Sequence, residues 1–289
     1  MSNWKMINSP LIDFLKSTVT NNNNKITHQL LPGVVSCIDQ YKYHIPREKY
    51  DEFIKLYHQH VYESNAPLSL MEKIGEVSPM FLDIDIKYRN ENGDIEDKQY
   101  TSETVELLCK LVFKEIKNHI PMDDESLNMN RCIVMEKPET ILKVEKNGDK
   151  IAKDGIHIIF PGIVIDRKLQ QHIVKTLCSE ENHNLTSGIF DTFKSLPLEI
   201  DTDSVTKNNL KYIMDESIYK NGKMIMIGSR KPDNIPYEVT HVLCIDDDCS
   251  GVKYEDISLF DSYSLLELNS LYNCPEKKCE YFEDTEDLL

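Results

Sequence analysis

The sequence predicts an α+β domain in which a sheet packs against helices. Four strand-like apolar runs, at 81–88, 131–135, 156–165 and 223–227, are separated by helical patterns of unequal length. Their order follows no regular strand–helix–strand repeat, which argues against a parallel α/β sheet. With 289 residues and 40% hydrophobic content, the chain has enough apolar material for one large core.

Two predicted helices precede the first of these strands along the chain, and a third follows it. A helix at 10–19 precedes a tract of four asparagines, 21–24, that is typical of a loop. Residues 47–64 carry apolar side chains at helical spacing, which predicts a helix with a buried stripe. A third helix, 102–120, begins at the N-cap candidate Ser102 and ends before Pro121.

The second half of the chain alternates strands with one helix before an acidic end. Strand 131–135 precedes a charged hairpin at Asn147-Gly148, strand 156–165 and a helix from about Arg167 to Glu180. Strand 223–227 is the last clear strand. We therefore predict one domain over residues 1–250, partly flexible over 1–25, and an acidic tail or linker over 251–289.

Composition predicts a soluble protein of a reducing compartment. No apolar run has the length of a membrane span, no basic and apolar leader is present, and eight cysteines are scattered along the chain. We expect a cytoplasmic protein that is neither secreted nor bound to a membrane. The net charge of −16 is concentrated after Thr240, whereas residues 205–231 carry six basic and two acidic side chains. This basic stretch suits a polyanion, and the alternative is an ordinary solvated surface.

The strand 81–88 carries two aspartates, Asp83 and Asp85, in an otherwise apolar run. Side chains two residues apart in a strand point to the same face, so these carboxylates stand side by side. Two like charges in that position call for a cation, and oxygen ligands suit Mg²⁺ or Mn²⁺. The alternative is an edge strand with a solvated acidic face.

Two later segments add groups that suit phosphate. Lys153, Gly155 and His157 share one apolar strand, where the glycine lets a ligand approach and the histidine and lysine donate to phosphate oxygens. Asp215 precedes the run Gly228-Ser229-Arg230-Lys231, which offers backbone amides and cations. His157 alone is also compatible with a structural histidine held by hydrogen bonds.

These three motifs, in this order, resemble the catalytic core of the archaeo-eukaryotic primase superfamily. The run 153–162 is most similar to the N-terminal primase domain of the primase-helicases of nucleocytoplasmic large DNA viruses. The resemblance covers residues 25–245. It implies a two-layer, RRM-like catalytic fold with a mixed sheet packed by helices.

The resemblance also implies roles for individual residues. Asp83, Asp85 and Asp215 would be catalytic and would bind the metals, although Asp201 and Asp203 form a second Asp-x-Asp pair nearby. The nucleotide would be bound by the following residues: Lys153, Gly155, His157, Lys223, Ser229, Arg230 and Lys231. Many family members place an arginine shortly before the last motif. Ile225 and Met226 stand there in this chain, so that Lys223 or Arg230 would substitute.

The activity implied is primer synthesis on single-stranded DNA from NTPs or dNTPs, with Mg²⁺ or Mn²⁺, in viral DNA replication. The template would follow Lys207, Lys211 and Lys220, and a replicative helicase would be a partner in cis or in trans. One alternative is a metal-dependent nuclease, which also needs clustered carboxylates. Another is a non-catalytic module that binds DNA or a helicase.

The cysteine spacing leaves a zinc site open but does not favour it. Cys244 with Cys249 and Cys274 with Cys279 have four residues between the members of each pair, at the edge of the usual ligand spacing. We expect reduced thiols and no zinc.

Overall fold

A computed structural model describes residues 9–31, 42–122, 128–145, 147–179, 188–197, 210–231, 234–272 and 278–286. Four residues singled out above, Asp201, Asp203, Lys207 and Cys274, lie outside these ranges. None of the helices in these ranges is both long enough and apolar enough to cross a membrane.

Strands and helices are interspersed along the whole described chain. The strands are β1 (His28–Leu30), β2 (Lys42–Tyr43), β3 (Leu70–Lys73), β4 (Val77–Arg89), β5 (Arg131–Glu136), β6 (Ile141–Val144), β7 (Lys150–Asp166), β8 (Lys223–Ile225), β9 (Glu238–Ile245) and β10 (Val252–Glu255). The helices are α1 (Pro10–Ser17), α2 (Tyr50–His58), α3 (Ser102–Ile116), α4 (Arg167–Leu177), α5 (Ile218–Asn221), α6 (Ser262–Leu268) and α7 (Glu283–Glu286).

The strands form two sheets, and the predicted α+β class is confirmed. The large sheet has the order β10-β9-β5-β7-β4, with β6 also beside β7, and the small sheet has the order β2-β1-β3-β8. All pairings between these strands are antiparallel, which differs from the mixed sheet that we expected. Tight hairpins such as β6–β7, which turns at Gly148 with φ 94°, can join only antiparallel neighbours.

One face of the large sheet packs against α3 and α4. Alternate residues of β4, including Ile84 and Ile86, are fully buried on this face, and the ring of Phe160 on β7 stacks on Phe113 of α3. The N-cap of α3 is Thr101, one residue before the predicted Ser102. Thr101 caps because its hydroxyl accepts from the amide of Thr104, whose own hydroxyl accepts from the Thr101 amide.

Helix α2 packs against the small sheet, where Phe53 contacts His28 of β1 and the Tyr50 hydroxyl donates to Glu72 of β3, and α1 packs on α2. The predicted helical stripe of 47–64 is confirmed: a short 3₁₀ turn, α2 and a π turn run from 47 to 63, and Phe53 and Tyr57 are fully buried. Phe14 of α1 stacks on Phe53, which joins the two helices. The two sheets thus each have a helical layer.

The acidic C-terminal segment, residues 252–272, is folded onto the domain and is not a free linker over this range. Strand β10 pairs with β9, and α6 packs beside α2 with Leu266 buried. Leu271 is buried as well, and its amide donates to the carboxylate of Glu72 at 2.8 Å. Composition misled the prediction because these few apolar anchors stand among many acidic residues.

Candidate functional site

The candidate site lies on the face of the large sheet that points away from α3 and α4. On this face Asp83 is the direct cross-strand partner of His157, and Asp85 is the partner of Gly155. Residues directly opposite in an antiparallel pair share a face. The pairing of β4 with β7 therefore brings the first two sequence motifs together, as the family resemblance implied.

Asp215 reaches the same place because residues 210–215 run along the free edge of β4. The amide of Asp85 donates to the carbonyl of Ile213 at 2.8 Å, and the amide of Asp215 donates to the carbonyl of Asp83 at 2.9 Å. One carboxylate oxygen of Asp215 accepts from the amide of Ser217 at 2.8 Å. The third predicted carboxylate is thus held beside the first two.

Basic side chains lie beside two of these carboxylates. Lys153 Nζ lies 2.8 Å from Asp85 Oδ2, and His157 Nε2 lies 3.4 Å from Asp83 Oδ1. Burial raises the pKa of Asp83, but the opposing effects of His157, Lys231 and Lys153 outweigh it and leave this pKa below its usual value. Asp83 is therefore held in its charged form.

These groups line one pocket of about 230 Å³ between the two sheets. Its wall includes the three carboxylates, Lys153 and His157, together with the predicted phosphate ligands Lys223, Ser229, Arg230 and Lys231. Among the described residues, no three His, Cys, Asp or Glu side chains stand close enough to hold a metal as they are. The three carboxylates share a pocket but do not form a closed set of ligands.

Two residues of this pocket were not predicted from the sequence. The ring of Tyr237 stacks on His157 with centroids 3.8 Å apart, and Lys137 Nζ lies 5.4 Å from the centre of the Tyr237 ring. A Cβ at Gly155 would lie 2.2 Å from the Tyr237 hydroxyl oxygen. Gly155 therefore admits the side chain of Tyr237, where we expected it to admit a ligand. A glycine inside an otherwise apolar strand was the available signal.

The loop after β8 carries the remaining predicted phosphate ligands. Gly228 has φ 79°, and a Cβ there would lie 2.7 Å from a methyl carbon of Val61. Ser229 is buried, its hydroxyl is 2.8 Å from that of Tyr57, and it accepts from the amide of Leu70. Because its hydroxyl has these internal partners, we assign Ser229 to holding the loop. Lys231 is exposed at the end of the loop.

Two of the three predicted template residues, Lys211 and Lys220, do not line the pocket. Lys211 and Lys220 are exposed, and Lys211 Nζ lies 5.1 Å from the ring centre of Tyr212. A second group of cations on the small sheet was missed. Lys223 is the cross-strand partner of Lys73, and burial together with the charges of Lys42 and Lys73 lowers the pKa of Lys223.

Two of the four cysteines considered for zinc, Cys244 and Cys279, have contacts within the described part of the chain. Cys244 Sγ lies 3.0 Å from a carboxylate oxygen of Glu255, and burial raises the pKa of this thiol. Cys279 is buried, and its amide donates to the carbonyl of Val164. The expectation that zinc is not bound stays a prediction.

The chain is similar to a known protein family and to a known viral protein. Residues 34–243 match the family described as the C962R protein N-terminal AEP domain, where AEP stands for archaeo-eukaryotic primase. A protein of Invertebrate iridescent virus 6 named "Putative helicase 184R" is 28% identical over 216 residues. That similarity covers 70% of this chain and 20% of the relative, so the chain spans only a fraction of the relative's length.

Proposed function

Because this chain belongs to the C962R-type archaeo-eukaryotic primase domains, we propose that it is a metal-dependent nucleotidyltransferase that makes primers on single-stranded DNA. The observation that carries the proposal is one pocket in which Asp83, Asp85 and Asp215 face Lys153, His157 and Lys231. Carboxylates suit the divalent cations of nucleotidyl transfer, and the cations suit a triphosphate.

The carboxylates fit the metal ions that this reaction needs. Their donors are oxygens only, which favours Mg²⁺ or Mn²⁺, and the ammonium of Lys153 holds a positive charge against Asp85 at 2.8 Å. Binding of a metal by Asp85 would release Lys153 toward a phosphate oxygen. Asp83, Asp85 and Asp215 would hold the divalent cations, which would supply Lewis-acid activation of a 3′-hydroxyl and neutralise charge on the departing pyrophosphate. No protein nucleophile is required.

The residues of the chain then divide the remaining work. Lys231, Arg230 and Lys153 bind the triphosphate, and His157 donates to it while contacting Asp83. Tyr237 fixes the imidazole ring by stacking on it. This arrangement holds the α-phosphate in a fixed place relative to the carboxylates, which is the main demand of phosphoryl-type transfer.

The template is proposed to follow the cationic surface beside the pocket. Lys223 belongs both to the pocket wall and to the group that it forms with Lys42 and Lys73 on the small sheet. We propose that the exposed Lys211 and Lys220 extend this surface. Lys207, the third predicted template residue, lies outside the described residues. Backbone contacts of this kind accept any sequence, as primer synthesis requires.

A helicase is the proposed partner of this domain. The similar iridescent virus protein carries helicase in its name and is much longer than the matched region. We propose that the domain acts together with a helicase, either in the same polypeptide or as a separate chain.

One incubation separates this function from its rivals. The chain is mixed with single-stranded DNA, NTPs or dNTPs, and Mg²⁺ or Mn²⁺, and the products are resolved by length. We expect new strands complementary to the template. Shortening of the template would identify a nuclease, and intact template that is bound without any new strand would identify a non-catalytic module.

A further inference from the structure

Lys137 differs from the other cations of the pocket. It follows β5 directly, is only 8% exposed, and lines the pocket together with Asp83 and Asp85. Lys153 pairs with Asp85, whereas no described carboxylate lies within ion-pair distance of the Lys137 ammonium. The one described contact of this ammonium is with the face of the Tyr237 ring.

Such a group is costly for the fold. A buried ammonium loses its hydration, and a single cation–π contact replaces only part of it. Burial lowers the pKa of Lys137, the nearby charges of Lys153 and Lys231 lower it further, and the charges of Asp85 and Asp83 offset part of this effect. Asp85 already pairs with Lys153 and Asp83 lies beside His157, so neither carboxylate forms an ion pair with Lys137.

The position of Lys137 is nevertheless well defined. Its amide donates to the carbonyl of Gly155 at 3.3 Å, which continues the pairing of β5 with β7. Tyr237 lies between Lys137 and His157 and contacts both. Lys137, Tyr237 and His157 therefore form one stack along the pocket wall. Neither Lys137 nor Tyr237 belongs to the motifs by which the sequence was interpreted.

We propose that Lys137 binds the triphosphate of the nucleotide, and that Tyr237 is the positioning residue that holds it beside His157. This inference rests on the proposed function, since it names a further contact to the same substrate. The anion would supply the charge that the surrounding protein does not. Lys137 would thus be kept at a cost to stability because it binds substrate.

The test measures binding of inorganic tripolyphosphate and of a nucleoside triphosphate by calorimetry. Lys137→Met keeps the length of the side chain and removes its charge, and Lys137→Arg restores the charge. We expect Lys137→Met to lower the affinity for both ligands by about 10- to 100-fold, as for a lost charged contact. Lys137→Arg should recover most of this affinity. The control is Lys87→Met. Lys87 is exposed and lies on the face of β4 that carries Asp83 and Asp85, and its substitution should change affinity by less than about 2-fold.

Thermal melting separates binding from folding. Without ligand, Lys137→Met should melt at the wild-type temperature or above it, because an unpaired buried charge is removed. Tripolyphosphate should then stabilise the wild type more than the variant. A lower melting temperature of Lys137→Met without ligand would show that Lys137 is structural and would overturn the proposal.

Tyr237 is tested in the same assay. Tyr237→Phe keeps the ring and should bind as the wild type does, whereas Tyr237→Leu should lose on the order of 3- to 10-fold in affinity. The Tyr237→Leu change should add little when Lys137 is already Met, because the two residues act together. Unchanged binding in Lys137→Met, with binding by the wild type intact, would overturn this inference alone. A wild type that binds neither ligand would overturn the proposed function as well.

Discussion

Two buried polar clusters of this molecule differ in how many of their hydrogen-bonding and charged partners the protein itself supplies. Around Glu72 every partner is supplied by the protein: its carboxylate accepts from the Tyr50 and Ser270 hydroxyls at 2.7 and 2.8 Å and from the Leu271 amide. His28, its cross-strand neighbour, lies 3.5 Å away. A closed network of this kind fixes one packed arrangement and contributes to stability.

The pocket cluster around Lys137 is open by comparison. Asp83 and Asp85 lie beside His157 and Lys153, whereas the contact of the Lys137 ammonium among the described residues is with the Tyr237 ring face. Lys231 is exposed at the rim. We infer from this difference that the Glu72 cluster stabilises the fold and that the Lys137 cluster binds a ligand. Changes at the closed cluster should reduce stability, and changes at the open cluster should reduce binding.

The largest expected effect is on the closed cluster. A chain that ends at residue 256 loses the buried side chains of Leu266 and Leu271 and the hydrogen bonds of Ser270 and Leu271 to Glu72. We expect the free energy of unfolding to fall by more than about 5 kcal/mol in chemical denaturation. A chain that ends at residue 272 keeps these contacts and should lose less. Equal stability of the two truncated chains would contradict a structural role for residues 257–272.

A single substitution in the same cluster should have the next largest effect. Glu72→Gln replaces an acceptor with a donor beside the Leu271 amide, so we expect a loss of about 2–4 kcal/mol. The exposed Glu76→Gln is the matched control and should be within experimental error of the wild type.

The contribution of Glu72 to the free energy of unfolding should decrease as the pH falls. Burial alone would raise the pKa of Glu72, but His28 and the hydrogen bonds from Leu271 and Tyr50 leave it below its usual value. A carboxyl with a lowered pKa stabilises the fold above its unfolded pKa, and this contribution is lost as the pH falls through the folded pKa. The stability difference between the wild type and Glu72→Gln should therefore narrow from pH 6 to pH 3. A stability difference that widens from pH 6 to pH 3 would contradict the assignment of Glu72 as a charged carboxylate in the folded protein.

At the open cluster, His157→Ala should weaken nucleotide binding by about 1.5–3 kcal/mol, the range for a charge-assisted contact. Single-strand binding should be less affected, because the template is proposed to follow other cations. Titration of both ligands into the folded variant provides the measurement. Equal losses for the two ligands, or loss of the folded state, would mark His157 as structural.

The smallest expected effect concerns the template surface. Charge reversal at Lys73 and Lys223 should make single-strand affinity less dependent on salt. The slope of the logarithm of the binding constant against the logarithm of the salt concentration should become shallower by about 0.7 for each lost phosphate contact. Reversal at Lys211 and Lys220 tests the other part of the proposed surface in the same way. Lys253→Glu on β10 is the control and should leave the slope unchanged. A slope that neither double variant alters would exclude this path for the template.

Sequence reasoning succeeded where local periodicity decides the structure. Asp83 and His157 were found because each stands in a long strand whose alternation is visible, and these strands pair directly. Lys137 and Tyr237 were missed because their proximity depends on the register of β5 and on the chain before β9, which no local pattern records. Strands β1 to β3 were missed because two to four residues are too few to display a period.

Composition was the least reliable guide. The acidic balance of residues 251–289 predicted a linker, yet Leu266 and Leu271 anchor this segment to the small sheet and α2. Net charge describes the surface, and a few buried side chains decide whether a segment folds onto the core. The same limit applies to the basic stretch, where three-dimensional pairing added Lys42 and Lys73 to the cationic surface.

The central claim is that Asp83 and Asp85 hold the divalent cations of nucleotidyl transfer, and incorporation of labelled nucleotide on single-stranded DNA tests it most directly. The assay compares the wild type with Asp83→Ala/Asp85→Ala and with the control Asp94→Ala/Glu96→Ala, an exposed acidic pair of the same spacing just beyond β4. We expect incorporation by the wild type and the control in Mn²⁺ or Mg²⁺, and only background by Asp83→Ala/Asp85→Ala in its folded state. Incorporation at the wild-type rate by the folded Asp83→Ala/Asp85→Ala variant would contradict the claim.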